Sequence, residues 1–264
     1  MMEPILQDAL TLLPWMDALA ARLPGVQPCP PSQWLLRDEA FAPQMAYRDR
    51  LIAMPGEDVV RSPPECAAST RALLAAVLTF VESDAGYRRE GGTIIRPDGV
   101  PVDLSAEPLR VAGRLVQQDL LLLAPVDGEH RLVAALVCFP ASWTLGQKIS
   151  RPMSAIHIPV ARFDADIARR TERIIASLRP GEPVWRANVL PYNDPELRQP
   201  RREGEHRPFD PALPTFIRVE RQTLLRLSPA SVVFTIHTCV VPLERVPAEA
   251  MDVLRGGPFW APQS

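Results

Sequence analysis

The chain has 264 residues, enough for one large domain or two small ones, and 47% of them are hydrophobic, so a sizeable core can form. Its 29 basic residues are balanced by 31 acidic ones without a dense basic stripe, which argues against a nucleic-acid partner. The longest apolar runs, Leu120–Val126 and Leu132–Ala141, are far shorter than the ~20 residues of a membrane-spanning helix. The N-terminus shows no secretory signal pattern. We therefore expect a cytoplasmic protein without a membrane segment.

Apolar residues spaced by three and four positions indicate helices. The first is predicted over residues 5–22, within an N-terminal helical segment of residues 1–40. A second helix is predicted for Pro64–Ser83, a third for Phe163–Leu178, and a short last one for Pro247–Leu254. Most of these predicted helices precede or separate the predicted strands.

The middle and late parts of the chain favour strands. Leu115–Leu123 and Leu132–Phe139 flank Asp127-Gly128, a pair typical of a two-residue hairpin turn. Three further strands are predicted at Val184–Leu190, Thr215–Leu225 and Ser231–Val241. The order of elements indicates an α+β fold in which helices pack on an antiparallel sheet, with residues 41–264 as a single domain. Such a sheet can form an apolar slot for a flat cofactor.

Several common catalytic and cofactor patterns are absent from the sequence. The four cysteines are far apart and form no C-x-x-C pair, which disfavours a zinc or iron–sulfur site built on cysteines. The chain has no G-x-S-x-G, no glycine-rich nucleotide loop and no H-E-x-x-H. These absences argue against common hydrolase, nucleotide and zinc chemistries.

The four histidines fall into two groups. His130 begins a strand, where we expect it to be exposed, and His206 lies in a charged run that is typical of a solvated surface. His157 and His237 are embedded in apolar sequence. A buried imidazole needs a partner, which can be a hydrogen bond in the core or a metal. Both alternatives stay open for His157 and His237 at this point.

Three segments of the chain, Leu136–Trp143, Lys148–Val160 and Arg218–Leu227, together resemble the signature of a bacterial family. This is the family of the haem subunit of haem-dependent oxidative N-demethylases, and the likeness runs from about Tyr47 to Pro242. It implies a PAS-like domain that binds haem b. It also implies oxidation of a small methylated amine by dioxygen, with electrons from a flavin reductase and an iron–sulfur protein.

The resemblance implies roles for individual residues. His157 matches the histidine of the family's I-H-x-P-V motif and would bind the haem iron. Lys148 and Arg151 would pair with the haem propionates, or alternatively be solvated loop charges. Glu220 and Arg221 would act as catalytic residues in the distal pocket, holding a substrate ammonium or relaying protons. The alternative for Glu220 is a structural pair with an arginine such as Arg218 or Arg226.

The chain departs from the family pattern at three positions. Asn188-Val189 stands where the family has an asparagine–tryptophan pair, and Asn188 would hydrogen-bond the substrate. His237 stands in place of an arginine and Cys239 in place of a tyrosine. His237 is therefore a candidate for a second haem ligand, which would leave no position for dioxygen and favour electron transfer or sensing. The alternatives to the enzyme are a haem-binding PAS-like sensor or carrier, and a haem-free protein that binds a small molecule or a partner.

Overall fold

The computed structural model describes residues 3–21, 24–54, 58–156, 165–205 and 207–257. Its helices are α1 (Phe41–Ala53), α2 (Ala67–Ser83), α3 (Pro108–Leu115), α4 (Leu145–Lys148), α5 (Met153–Ile156), α6 (Ala165–Ser177) and α7 (Ala248–Gly256). Its strands are β1 (Gln27–Pro28), β2 (Val60–Arg61), β3 (Arg88–Glu90), β4 (Thr93–Ile95), β5 (Pro101–Asp103), β6 (Asp119–Val126), β7 (Glu129–Leu136), β8 (Val184–Tyr192), β9 (Phe216–Ser228) and β10 (Ser231–Pro242). The predicted α+β class is confirmed, while the likeness to a PAS domain stays a prediction.

Seven strands form the main sheet in the order β1-β8-β9-β10-β6-β7-β2, and its paired strands run antiparallel. The strands β3, β4 and β5 form a small separate sheet. The long strands β8, β9 and β10 lie side by side, and their register aligns Asn188 with Glu220 and Glu220 with Thr238. Residues far apart in the sequence are thereby brought into one row across the sheet.

The predicted hairpin turn is confirmed. Asp127 and Gly128 join β6 to β7 with φ values of 53° and 84°, as a type I′ turn requires. The predicted start of this hairpin at Leu115 is wrong, because the residues up to Leu115 form α3. Glu107 caps that helix by accepting hydrogen bonds from the backbone N–H groups of the first turn.

The helix α2 shows why its segment was predictable. Leu73, Val77 and Val81 recur every four residues, and each is 0% exposed. The stretch Pro64–Glu82 is long and apolar enough to cross a bilayer by length and composition alone. Because these three side chains pack in the main core cluster, we interpret the stretch as a core helix.

The main sheet is covered by helices on both faces. Leu120, Leu122 and Val233 share a core with α2 and α3. Leu121 and Val232 face the other way, because side chains alternate along a strand. This second face carries an apolar cluster, defined here as cluster B, that packs against α5 and α6: Leu121, Leu123, Leu132, Ala135, Val137, Leu145, Ile175, Leu178, Leu224, Val232 and Ile236.

The predicted helix over residues 5–22 is wrong for the residues that the structure describes. A single 3₁₀ turn forms there, at Pro14–Met16, because proline removes a backbone donor and blocks the preceding turn. The N–H of Gln7 donates to the carbonyl of Val240 over 3.0 Å, and the Val240 N–H donates to Gln7 Oε1 over 2.7 Å. This segment therefore provides hydrogen-bond partners for the backbone of β10 beyond the end of β6. The division into residues 1–40 and 41–264 stays a prediction.

Candidate functional site

The predicted haem ligand His157 lies in residues 157–164, outside the described part of the chain. The residue before it, Ile156, ends α5 and packs against cluster B. The helix α6 follows from Ala165 and contributes Ile175 to the same cluster. The helices before and after residues 157–164, α5 and α6, thus both pack on the face of the sheet that carries cluster B.

Lys148 and Arg151 converge on one carboxylate. Lys148 Nζ donates to Glu203 Oε1 over 2.7 Å, and Arg151 Nη1 donates to the same oxygen over 3.2 Å. Lys148 Nζ also donates to the carbonyl oxygen of Ile156 over 2.7 Å. That carbonyl belongs to the peptide bond that joins Ile156 to His157. The hydrogen bond from Lys148 lowers the pKa of the Glu203 carboxyl.

The predicted catalytic pair Glu220 and Arg221 is divided between the two faces of the sheet, because neighbouring residues of a strand point to opposite sides. Glu220 lies beside Asn188 of β8. Arg221 lies beside His237 of β10 on the opposite face. The predicted residues therefore form two separate groups, and their roles stay predictions.

Glu220 is held by Arg218 two positions earlier on the same face. Arg218 Nε lies 3.1 Å from Glu220 Oε1, and its Nη1 and Nη2 donate to the backbone carbonyls of Leu197 and Phe139. Burial raises the pKa of Glu220, although the charge of Arg218 opposes this. A buried carboxyl whose pKa is raised by desolvation can hold or release a proton at Oε.

His237 is buried, and hydrogen bonds occupy both of its ring nitrogens. Gln118 Nε2 lies 3.1 Å from His237 Nδ1 and also donates to the carbonyl of Leu36 over 2.7 Å, which fixes the direction of this amide. His237 Nδ1 is therefore the acceptor, and Nε2 carries the proton toward Asp38 Oδ2 at 2.9 Å. A second haem ligand at His237 would have to break one of these bonds.

The carboxyl of Asp38 completes this group. Burial would raise its pKa, but hydrogen bonds from His237, Gln117 and Gln7 prevail and lower the pKa to about 2. Asp38 therefore links the N-terminal segment to the centre of β10.

Arg221 lies on the same face as His237. Its Nη2 is 3.1 Å from Cys29 Sγ, and its guanidinium lies 5.6 Å from the ring centre of Trp185. Burial raises the pKa of the Cys29 thiol, although the charge of Arg221 opposes this. The surroundings of Arg221 are thus a thiol and an aromatic ring.

The prediction that His130 is exposed is wrong, because its exposure is 5%. Its Nδ1 is bonded to the carboxylate of Glu172 on α6, and its backbone N–H donates to the same carboxylate. The helix α6 covers this part of β7, which a reading of local sequence could not show.

Sequence reasoning missed Asp38 and Glu203 and weighed Arg218 only as one possible partner of Glu220. Strand periodicity could have favoured Arg218, since residues two apart on a strand share a face. Asp38 and Glu203 come from irregular segments and carry no such signal. Among the described residues, no three His, Cys, Asp or Glu side chains come together as a metal-binding group. A haem iron needs only one or two protein ligands, so this finding does not bear on His157.

Comparison with known families agrees with the sequence motifs. A family model described as "Haem-dependent oxidative N-demethylase, alpha subunit-like" matches residues 25–256, which is most of the chain. The matched region contains Glu203 with its two cations, the pair of Arg218 and Glu220 with Asn188 beside it, and the segment of His157. The resemblance stated from the motifs is therefore confirmed. The chain belongs to the haem-dependent oxidative N-demethylase alpha subunit-like family.

Proposed function

We propose that this protein oxidises a small methylated amine with dioxygen at a haem b whose iron is bound by His157. The family match across residues 25–256 supports haem dependence and oxidative demethylation as the setting. The observation that carries the proposal is the hydrogen bond from Lys148 Nζ to the carbonyl of Ile156. It holds a buried cation next to the peptide bond that precedes His157.

The described residues around this position suit a haem. Lys148 and Arg151 are cations of the type that pairs with propionates, and both already bind a carboxylate, that of Glu203. Cluster B offers an apolar wall beside them, which suits the flat, apolar body of a porphyrin and keeps water away. Haem, when bound, supplies the redox chemistry with dioxygen. Lys148 and Arg151 would neutralise its propionates.

Glu220 and Asn188 are the residues that we assign to the amine. They are direct partners across β8 and β9, and both side chains lie on the face that carries cluster B. Glu220 Oε1 is fixed by Arg218, so the carboxyl has a defined direction. A carboxylate there can accept an N–H of the substrate ammonium, and Asn188 can add a neutral hydrogen bond. Arg221 lies on the other face, so the proposal does not assign it a direct contact with the amine.

The proposal includes partners and a location. An alpha subunit-like chain is expected to work with other subunits, and we propose a flavin reductase and an iron–sulfur protein as its electron donors. We propose the cytoplasm as its location, because a nicotinamide-dependent reductase would find its cofactor there.

The test is an absorption spectrum of the protein with added hemin, in ferric and dithionite-reduced forms. We expect a Soret band that shifts with carbon monoxide, and formaldehyde release from methylated amines once an electron donor is supplied. The variant His157→Ala should lose the band, whereas the matched variant His206→Ala should keep it. An unchanged spectrum in His157→Ala would overturn the ligand assignment. A Soret band that ignores carbon monoxide and responds after His237→Gln would instead identify His237 as a second ligand.

A further inference from the structure

A cavity of about 500 Å³ opens at Tyr192, where β8 ends. Its size falls in the range of small-molecule sites. Its lining includes Tyr192, Gln199, Arg201, Arg207, Phe209 and Leu213. None of these residues has a role in the proposed demethylation.

Arg207 is the central feature of this cavity. Its side chain is buried, with 8% exposure, and its guanidinium lies 4.2 Å from the ring centre of Tyr192. Nη1 donates to the carbonyl of Pro191. Among the residues that the structure describes, no carboxylate forms an ion pair or hydrogen bond with Arg207. Buried arginines are rare without an anionic partner, so this guanidinium is poised to receive one.

The charges around Arg207 also favour an anionic ligand. Burial and the nearby charges of Arg201 and Arg218 lower the pKa of Arg207, whereas Tyr192 acts in the opposite direction. The carboxylates of Asp194 and Asp210 also line the cavity, but both residues are exposed. Each of them accepts a backbone N–H two residues further along its own turn. Water screens exposed carboxylates, so they do not neutralise the buried cation.

Tyr192 is held in place beneath the guanidinium. Its hydroxyl lies 3.1 Å from Ser142 Oγ. Ser142 has a φ of 62°, a left-handed conformation that side chains other than glycine rarely adopt. Such strain is kept where the surrounding structure requires it and is frequent at ligand sites. The contact with Ser142 fixes the position of the Tyr192 ring beside Arg207.

We propose that this cavity binds a small organic oxyanion, a carboxylate or a phosphate monoester on an apolar body, with Arg207 as its anchor. The planar guanidinium suits both oxyanions through paired hydrogen bonds. Leu213, which is 53% exposed, and Phe209 offer apolar surface to the rest of the ligand. The inference uses none of the residues assigned to haem or amine.

The experiment is calorimetric titration of the full chain with benzoate and phenyl phosphate, with benzyl alcohol as the neutral probe. We expect both anions to bind and the alcohol not to bind. The variant Arg207→Gln should weaken anion binding about tenfold or more, while Arg202→Gln, an equal charge change at an exposed residue of the same segment, should not. Leu213→Asp, at the exposed rim, should also weaken anion binding without touching the buried arginine.

Repeating the titration after hemin loading distinguishes two sources of the carboxylate. Unchanged benzoate binding supports a free organic acid as the ligand. Loss of benzoate binding on hemin loading, with weaker hemin binding in Arg207→Gln, supports a propionate of the cofactor as the oxyanion. The proposal is overturned if neither anion binds, if the alcohol binds equally well, or if Arg207→Gln and Arg202→Gln behave alike. A correctly folded Leu213→Asp variant with full anion affinity would also contradict it.

Discussion

Arg218 and Glu220 form an ion pair inside the protein, with 3.1 Å between Nε and Oε1 and side-chain exposures of 2% and 6%. The same guanidinium donates to the carbonyls of Leu197 and Phe139. Arg218 thereby ties two distant segments to the first part of β9 and orients the carboxyl that we assign to the substrate. A buried pair of this kind is costly to break on one side, because the remaining charge is left without a partner.

We predict that Arg218→Met lowers the free energy of unfolding by about 3 to 5 kcal/mol, since Glu220 is then a buried carboxylate without its cation. The double variant Arg218→Met with Glu220→Leu should recover much of this loss. Urea unfolding followed by circular dichroism measures both. Equal stability of the single and the double variant would show that the pair is not coupled.

Asp38 should stabilise the protein near neutral pH and make its stability fall in acid. Its pKa is lowered to about 2 in the folded protein from the ordinary 3.8, so the folded state binds fewer protons than the unfolded state in this window. The contribution is present above pH 4 and is lost as the pH falls from about 4 to 2. It amounts to about 2 kcal/mol at neutral pH.

The variant Asp38→Asn should therefore be less stable than the parent at pH 7 and should lose less stability between pH 4 and 2. Asp8→Asn, at an exposed aspartate, is the matched control and should follow the parent at both pH values. Thermal unfolding across this range measures the difference. Parallel pH profiles of Asp38→Asn and the parent would contradict the prediction.

Glu203 should compete with haem for its two cations. If Lys148 and Arg151 bind propionates, Lys148→Met should weaken hemin binding about tenfold, and Glu203→Gln should strengthen it. Glu203→Gln should change the free energy of unfolding by no more than about 1 kcal/mol, because its carboxylate is partly exposed. Hemin titration followed at the Soret band measures the affinities. Arg88→Met, at an exposed arginine, is the control, and equal affinity of the control and Lys148→Met would refute the role of Lys148.

Gly113 of α3 should not tolerate a side chain. A methyl group there would overlap the Leu136 side chain of β7, and both residues are buried. We predict that Gly113→Ala costs about 1 to 3 kcal/mol, although alanine is the better helix former. Gly256→Ala at the end of α7 meets no atom within 4 Å and should be neutral or slightly stabilising. Thermal unfolding of both variants tests this, and equal melting temperatures would count against the close packing of α3 on β7.

Local patterns in the sequence were sufficient for several elements. The four-residue spacing of α2 and the Asp127-Gly128 turn predict their structures, because helix period and turn conformation depend on neighbouring residues. The segments Leu136–Trp143, Lys148–Val160 and Arg218–Leu227 together identify the family without any structure, because a motif is defined by residue identities. The helix predicted over residues 5–22 does not form, because apolar spacing takes no account of the backbone N–H that Pro14 lacks and of the clash of its ring with the preceding turn.

The tertiary structure alone decided which residues meet. Asn188 and Glu220 become partners through the pairing of β8 with β9, and Arg221 becomes a neighbour of His237 through the pairing of β9 with β10. Lys148, the last residue of the short helix α4, meets Glu203 of an irregular segment, and this contact leaves no periodic trace in the sequence. Sequence patterns report the conformation of nearby residues, whereas contacts between distant ones depend on strand register and on which segment covers each face of the sheet.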